Sequence, residues 1–162
     1  MVAAERLSTI TDEILTEVQQ LPAELIQWSL GEGIWTVMDN LCHIREFVPF
    51  WTGEALRIVR RSGEPWGRDH TDAGRLAAVT NTAAYRLEDV LGAIREAVRR
   101  SAETLRSLSD EDLGAEGMSK NPRWGLKPAS FVVDDLLVQH VAKHQGQIRR
   151  NASQFNDARS KP

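Results

Sequence analysis

His140 and His144 stand one helical turn apart near the end of the chain, and His43 lies in an earlier segment with a strong apolar pattern. A helix advances about 100° per residue, so residues four apart project side by side and two imidazoles can grip one ion. Val133, Leu136, Leu137 and Ile148 recur at helical spacing around the pair and mark its side as the core-facing one. Neutral imidazole is a ligand for zinc, nickel, copper and iron. Three such ligands with an open fourth position is the composition of a catalytic rather than a structural site. The competing reading is a set of packed core histidines hydrogen-bonded to carbonyls. No acid flanks the pair on its own side, and burying two uncompensated imidazolium ions is costly, a difficulty that an ion relieves. His43, also on an inward-looking helix, supplies the third ligand of the metal reading.

Other residues stand near these three. Glu46, one turn after His43, is a candidate acceptor behind a ligand or a base, with a solvated or capping role as the alternative. Asp135 and Gln147 flank the pair, and Gln147, nearly in line with it, is a candidate polar contact near the ion. His70 is open to three readings, a fourth ligand, a general base or a surface residue, and stays outside the metal set. Trp28, Trp35, Trp66 and Trp124 lie in or beside connections, where some of them, Trp66 and Trp124 included, are candidates to wall a pocket. The single cysteine, Cys42, has no partner for a disulfide or a Cys-x-x-Cys site, and its turn of about 100° from His43 sends it towards the core.

Four amphipathic helices position these groups. The first spans about Ala3 to Leu21, with Leu7, Ile10, Ile14, Leu15 and Val18 on its stripe and Pro22 beyond it. The second opens at Thr36, where Asp39 three residues on makes a variant capping box, and carries His43; Pro49 is expected to kink or unwind it before Leu56 and Val59. The third runs from Leu87 to near Ser107, preceded by a short turn around Ala73 to Val79. The fourth starts near Pro128 to Ser130 and runs to about Ala152. Two connections, Ser62 to Ala73 and Asp110 to Pro128, are long and rich in Gly, Pro and Asp. No alternation marks a strand, so the chain reads as all-α, a four-helix bundle, and bundles build metal sites from facing helices.

The chain of 162 residues reads as one domain over residues 1–155 with a flexible polar tail over residues 156–162. Twenty Lys and Arg against twenty-three Asp and Glu give a net charge of −3 with the signs mixed, so no nucleic acid is expected. The basic group Arg57, Arg60 and Arg61 reads as a solvated helix end. Glu5, Asp12, Glu13 and Glu17 interrupt the first apolar pattern as no signal-peptide core allows, and no run reaches membrane-spanning length; a cytoplasmic protein without membrane contact is expected.

Two segments resemble the DinB/YfiT-like superfamily of metal-binding four-helix bundles. Trp35-Thr-Val-Met-Asp-Asn-Leu-Cys-His43 is similar to its tryptophan, helix start and metal histidine. His140-Val-Ala-Lys-His144-Gln-Gly-Gln147 looks like its H-x-x-x-H-x-G-Q signature. The resemblance covers nearly the whole chain and implies an up-down-down-up bundle, a divalent transition metal (Zn, Ni or Fe) on His43, His140 and His144, and a homodimer. It also implies chemistry on a small-molecule substrate. Relatives include S-transferases that use low-molecular-weight thiols such as bacillithiol, mycothiol or glutathione, and a mycothiol-dependent isomerase. The shared logic is a metal that lowers the pKa of a thiol or water. On this reading the chain is a thiol-dependent S-transferase or a related hydrolase, with pocket walls from Trp66 to His70 and Asn121 to Trp124 and with Arg68 or Arg123 meeting a carboxylate of the thiol. The rival is a non-catalytic, stress-related dimeric bundle that merely holds a metal or small ligand.

Overall fold

The computed structural model describes residues 2–61 and 63–160. Helix α1 (Val2–Gln19) buries Ala4, Leu7, Thr11, Ile14, Leu15 and Val18, one stripe at spacings of three and four. Pro22 then caps the single turn α2 (Ala23–Ile26). Helix α3 (Val37–Arg60) begins at a complete capping box. The Thr36 hydroxyl accepts the Asp39 N–H at 3.0 Å, and the Asp39 carboxylate accepts the Thr36 N–H at 2.9 Å. The expected break at Pro49 does not occur, because α3 runs unbroken through it for 24 residues. A mid-helix proline deprives one carbonyl, here that of Arg45, of its donor, and burial of Phe47, Val48, Trp51 and Ala55 against the core outweighs that loss.

A long excursion follows, containing α4 (Ala73–Ala78), capped by Asp72, and a 3₁₀ turn (Thr82–Ala84) whose Thr82 hydroxyl donates to Asp39. Helix α5 (Leu87–Arg106) is the most amphipathic element, with Val90, Leu91, Ile94, Val98, Ala102 and Leu105 buried. After α6 (Asp110–Gly114) comes a small hairpin that the sequence did not signal. Strand β1 (Glu116–Met118) pairs antiparallel with β2 (Leu126–Pro128), Gly117 opposite Lys127. Strands of three residues are too short to show alternation. Trp66 adds to the hairpin's edge: its N–H donates to the Met118 carbonyl at 3.0 Å and its carbonyl accepts from Lys120 at 2.8 Å. The chain then enters one continuous helical stretch over residues 129–159, composed of α7 (Ala129–Phe131), a π-helical segment (Val132–Val138) and α8 (Gln139–Arg159). It outlasts the expected end at Ala152 because Phe155 is buried edge-on against Trp28, ring centroids 5.5 Å apart. The expected tail is therefore helical from 156 to Arg159, and residues 161 and 162 lie outside the described residues.

Contacts between side chains give the direction of each helix. Glu5 near the start of α1 meets Arg106 at the end of α5, so these two are antiparallel. Glu13 and Glu17 meet Gln145 and Arg149 in rising order, so α1 and α8 are parallel. Trp35, Asn40 and Phe47 meet Asn151, His144 and His140 in falling order, so α3 and α8 are antiparallel. The topology is up-down-down-up. Helices α1 and α3 stand diagonally, each packed against α5 and the last helix. Among the described residues no helix is long and apolar enough to cross a membrane.

Candidate metal centre

The α3–α8 seam brings His43, His140 and His144 together. One ring nitrogen from each lies within 4.8 Å of the others, and the ring centroids are 4.8 to 5.3 Å apart. Aromatic neighbours hold each ring. Phe47 stacks on His140 at 4.1 Å, Trp35 stacks on His144 at 5.8 Å, and Trp35 meets His43 edge-on at 5.1 Å. The π-helical segment Val132–Val138 runs directly into α8, so the register of the histidine pair is set just after a stretch where the helix is underwound.

One residue that the sequence reading passed over fixes the chemistry of the pair. Asn40 donates its amide N–H to the Thr36 carbonyl at 2.7 Å, which assigns the amide and leaves its Oδ1 facing His144 Nδ1 at 2.8 Å. An amide oxygen only accepts, so His144 Nδ1 carries the proton and Nε2 presents a lone pair. That Nε2 is buried with no hydrogen-bond partner, as are His43 Nδ1 and Gln147 Oε1. Partnerless buried polar atoms in one place, with His144 Nε2 assigned as an acceptor, are what a cation satisfies. Asn40 stands three residues before His43, and the available signal was this one-turn spacing.

The rings are also held neutral. Burial, reinforced by the nearby His144 and His140, pushes His43 down to about 2. Burial likewise takes His140 to about 3, against an upward pull from the Leu136 carbonyl, and His144 to about 4, against an upward pull from Gln147. At neutral pH the site is three unprotonated imidazoles, the form that binds a metal. On donor set, burial and protonation state, these residues fit a divalent transition ion.

Two cavities meet at the centre. A larger lobe of about 600 Å³ lies along α8 on the Leu30–Trp35 side and reaches Asn40, Gln147, Arg150 and Asn151. A smaller lobe of about 290 Å³ is walled by Trp51, Trp124, Asn121 and Arg123, with Asp69, His70 and Asp135 at its polar side. His43, His140, Arg75 and Lys143 line both.

Of the remaining candidates, Gln147 lines the larger lobe, and Trp124 and the exposed His70 line the smaller one. Glu46 does not back a ligand: both its oxygens accept from Arg68, each at 2.6 Å. That forked pair, together with Asp72 at 3.0 Å and the Phe50 ring 3.8 Å beneath the guanidinium, also occupies Arg68. Trp66 is not a pocket wall. It is fully buried, stacks on Trp124 at 5.8 Å and donates Nε1–H to the Gly117 carbonyl at 2.7 Å. A Cβ on Gly117 would come within 2.9 Å of that ring, which explains the glycine. Cys42 is buried in the core as expected.

The family model of the DinB superfamily matches residues 6–148. Among solved structures, YfiT from Bacillus subtilis, described as a probable metal-dependent hydrolase with an unusual four-helix bundle topology, superposes with a TM-score of 0.79 at 14% identity, covering 95% of this chain and 86% of that one. The mycothiol-dependent maleylpyruvate isomerase superposes with a TM-score of 0.69 at 15% identity. A point mutant of that isomerase gives 0.70 at 14%. In both, 90% of this chain is covered but 59% of the other, so the present chain spans little over half of the isomerase. No curated protein matches the chain in sequence.

Proposed function

The chain belongs to the DinB superfamily, and from that premise we propose that it is a metal-dependent enzyme acting on a small molecule, with His43, His140 and His144 holding one zinc, nickel or iron ion. The observation that carries the reading is the meeting of three neutral imidazoles, His43 and His144 buried and His140 half-buried, one of them fixed by Asn40 with its free nitrogen partnerless. When bound, such an ion supplies Lewis acidity that lowers the pKa of a thiol or water near neutral pH.

The residues around it divide the remaining work. Trp35 and Phe47 pack the rings and shield one side from water. The larger lobe contains no carboxylate, so proton transfer falls to the smaller lobe, where His70, Asp69 and Asp135 stand, or to solvent. Two lobes that share His43 and His140 give room for two reactants, which favours transfer of a low-molecular-weight thiol to a small electrophile. The mycothiol dependence of the isomerase supports the same reading. Hydrolysis is the second reading, favoured by the description of YfiT. We further propose a homodimer, to be checked by sedimentation.

Elemental analysis of protein purified without tag or chelator tests the metal. The expected result is about one ion per chain, lost in His140→Ala; no metal in either, and no uptake of added zinc, nickel or iron, refutes the proposal. Calorimetry of the loaded protein with bacillithiol, mycothiol and glutathione separates the two reactions. Heat with one thiol is the transferase result, and ester or amide hydrolysis without thiol heat is the hydrolase result.

A further inference from the structure

The chain is acidic overall, with a net charge of −3, yet the larger lobe is lined by three cations, Arg75, Lys143 and Arg150, and by no carboxylate. Among the described residues none of these three is ion-paired, whereas Arg57, Arg68, Arg99 and Arg149 each are. Arg75 is half-buried and donates to the His70 carbonyl at 3.1 Å, a neutral partner rather than a carboxylate. Three positive charges without an ion-pair partner among the described residues, with Asp69 and Asp135 confined to the smaller lobe, give the larger lobe a field that draws anions, and a divalent ion at the centre would add to it.

The lobe also has a fixed shape. Lys143 and Arg150 share one face of α8, on the flank of the histidine pair, seven residues and so about 10 Å apart along the axis, and both line the lobe. The opposite wall is apolar. Leu30 and Ile34, 57% and 49% exposed, leave large side chains uncovered at the mouth. An apolar wall facing convergent charged groups is the build of a site for an organic ligand with a charged end.

We infer that the larger lobe binds an organic anion, its carboxylate or phosphate held by Arg75 and Lys143 beside the histidines and its apolar body against Leu30 and Ile34. The inference rests on the reading of this cleft as the reaction site and names its substrate class. It concerns the side chains of the lobe, so it is tested on metal-free as well as zinc-loaded protein.

The probes are 3-phenylpropionate, phenyl phosphate and the neutral 3-phenylpropionamide, titrated by calorimetry and followed by tryptophan fluorescence. In both forms of the protein the anions should bind and the amide should bind about tenfold more weakly, the worth of one charge-assisted contact. The tighter of the two anions identifies the head group. Arg75→Gln and Lys143→Gln should each weaken the anions about tenfold and leave the amide unchanged. Arg123→Gln, in the smaller lobe, should change neither. Equal binding of acid and amide, equal loss in Arg123→Gln, or no binding of either anion up to its solubility limit overturns the inference. Melting curves and zinc stoichiometry of the variants keep a lost anion site apart from a lost fold. Zinc uptake without anion preference removes this inference and leaves the metal centre standing; anion preference without zinc uptake does the reverse.

Discussion

His144 and Gln145 are neighbours on α8 and similarly buried, at 4% and 7% exposure, yet they face two differently built seams. Towards α1, Gln145 donates both amide hydrogens, to Glu13 at 2.9 Å and Glu17 at 3.4 Å, and Arg149 one turn on pairs with Glu17. These charged and amide groups find their complements within the chain, and of the buried polar atoms of α1 only the Thr11 hydroxyl is left without a partner. Towards α3, His144 is anchored on one nitrogen and bare on the other, with two more neutral rings and a partnerless Gln147 oxygen beside it. Buried polar atoms cost free energy when unmatched, so a seam that serves only cohesion is completed internally. The seam left incomplete is the one to which the proposed ion is assigned.

The largest test of that contrast is His144→Ala, which should take bound metal from about one ion per chain to none by elemental analysis. Asn40→Ala comes next. Releasing His144 Nδ1 frees the ring and its tautomer, and zinc affinity in a chelator competition should fall about 10- to 100-fold. If Gln145→Ala lowered zinc affinity as much as Asn40→Ala, the two seams would not differ as described.

The same contrast has a pH signature in metal-free protein. The folded rings titrate at about 2, 3 and 4, while unfolded histidine titrates near 6.5. Between those limits the unfolded chain binds more protons, so stability falls as pH drops from about 6.5 and levels off only below the folded values. Melting temperatures between pH 7.5 and 4.5 should show this fall, and His43→Phe, which removes the most depressed ring, should flatten it. A slope unchanged in that variant would assign the pH dependence elsewhere.

On the completed seam the effects are smaller. Gln145→Ala should cost about 0.5–1.5 kcal/mol in denaturant unfolding and leave zinc stoichiometry unchanged. Arg149→Ala should cost less still, with the difference disappearing in high salt because that ion pair is exposed.

Periodicity and local chemistry were sufficient for the helices and for part of the centre. The stripes of α1 and α5, the Thr36–Asp39 capping box and the i, i+4 pair His140 and His144 are short-range patterns, and each appears in the structure as the spacing dictates. The misreadings were of another kind. The distance of Glu46 from His43 along the chain points to the metal site, but its partner is Arg68, 22 residues away. Trp66, in a connection, reads as a pocket wall, but it closes the core over Gly117, 51 residues away. The polar stretch after Ala152 reads as the end of the fourth helix, but Phe155 finds Trp28.

By itself, then, the sequence determined the helical elements, the caps that start them and the inward side on which the histidines stand, because these depend on turns of three and four residues. Tertiary structure alone decided that Asn40 reaches His144 across 104 residues, that Arg75 from α4 joins Lys143 from α8 around one cavity, and that the α1 seam is filled while the α3 seam stays open. Hydrogen bonds, uncompensated charge and the volume of a cleft are relations between elements, and they exist only once the helices have packed.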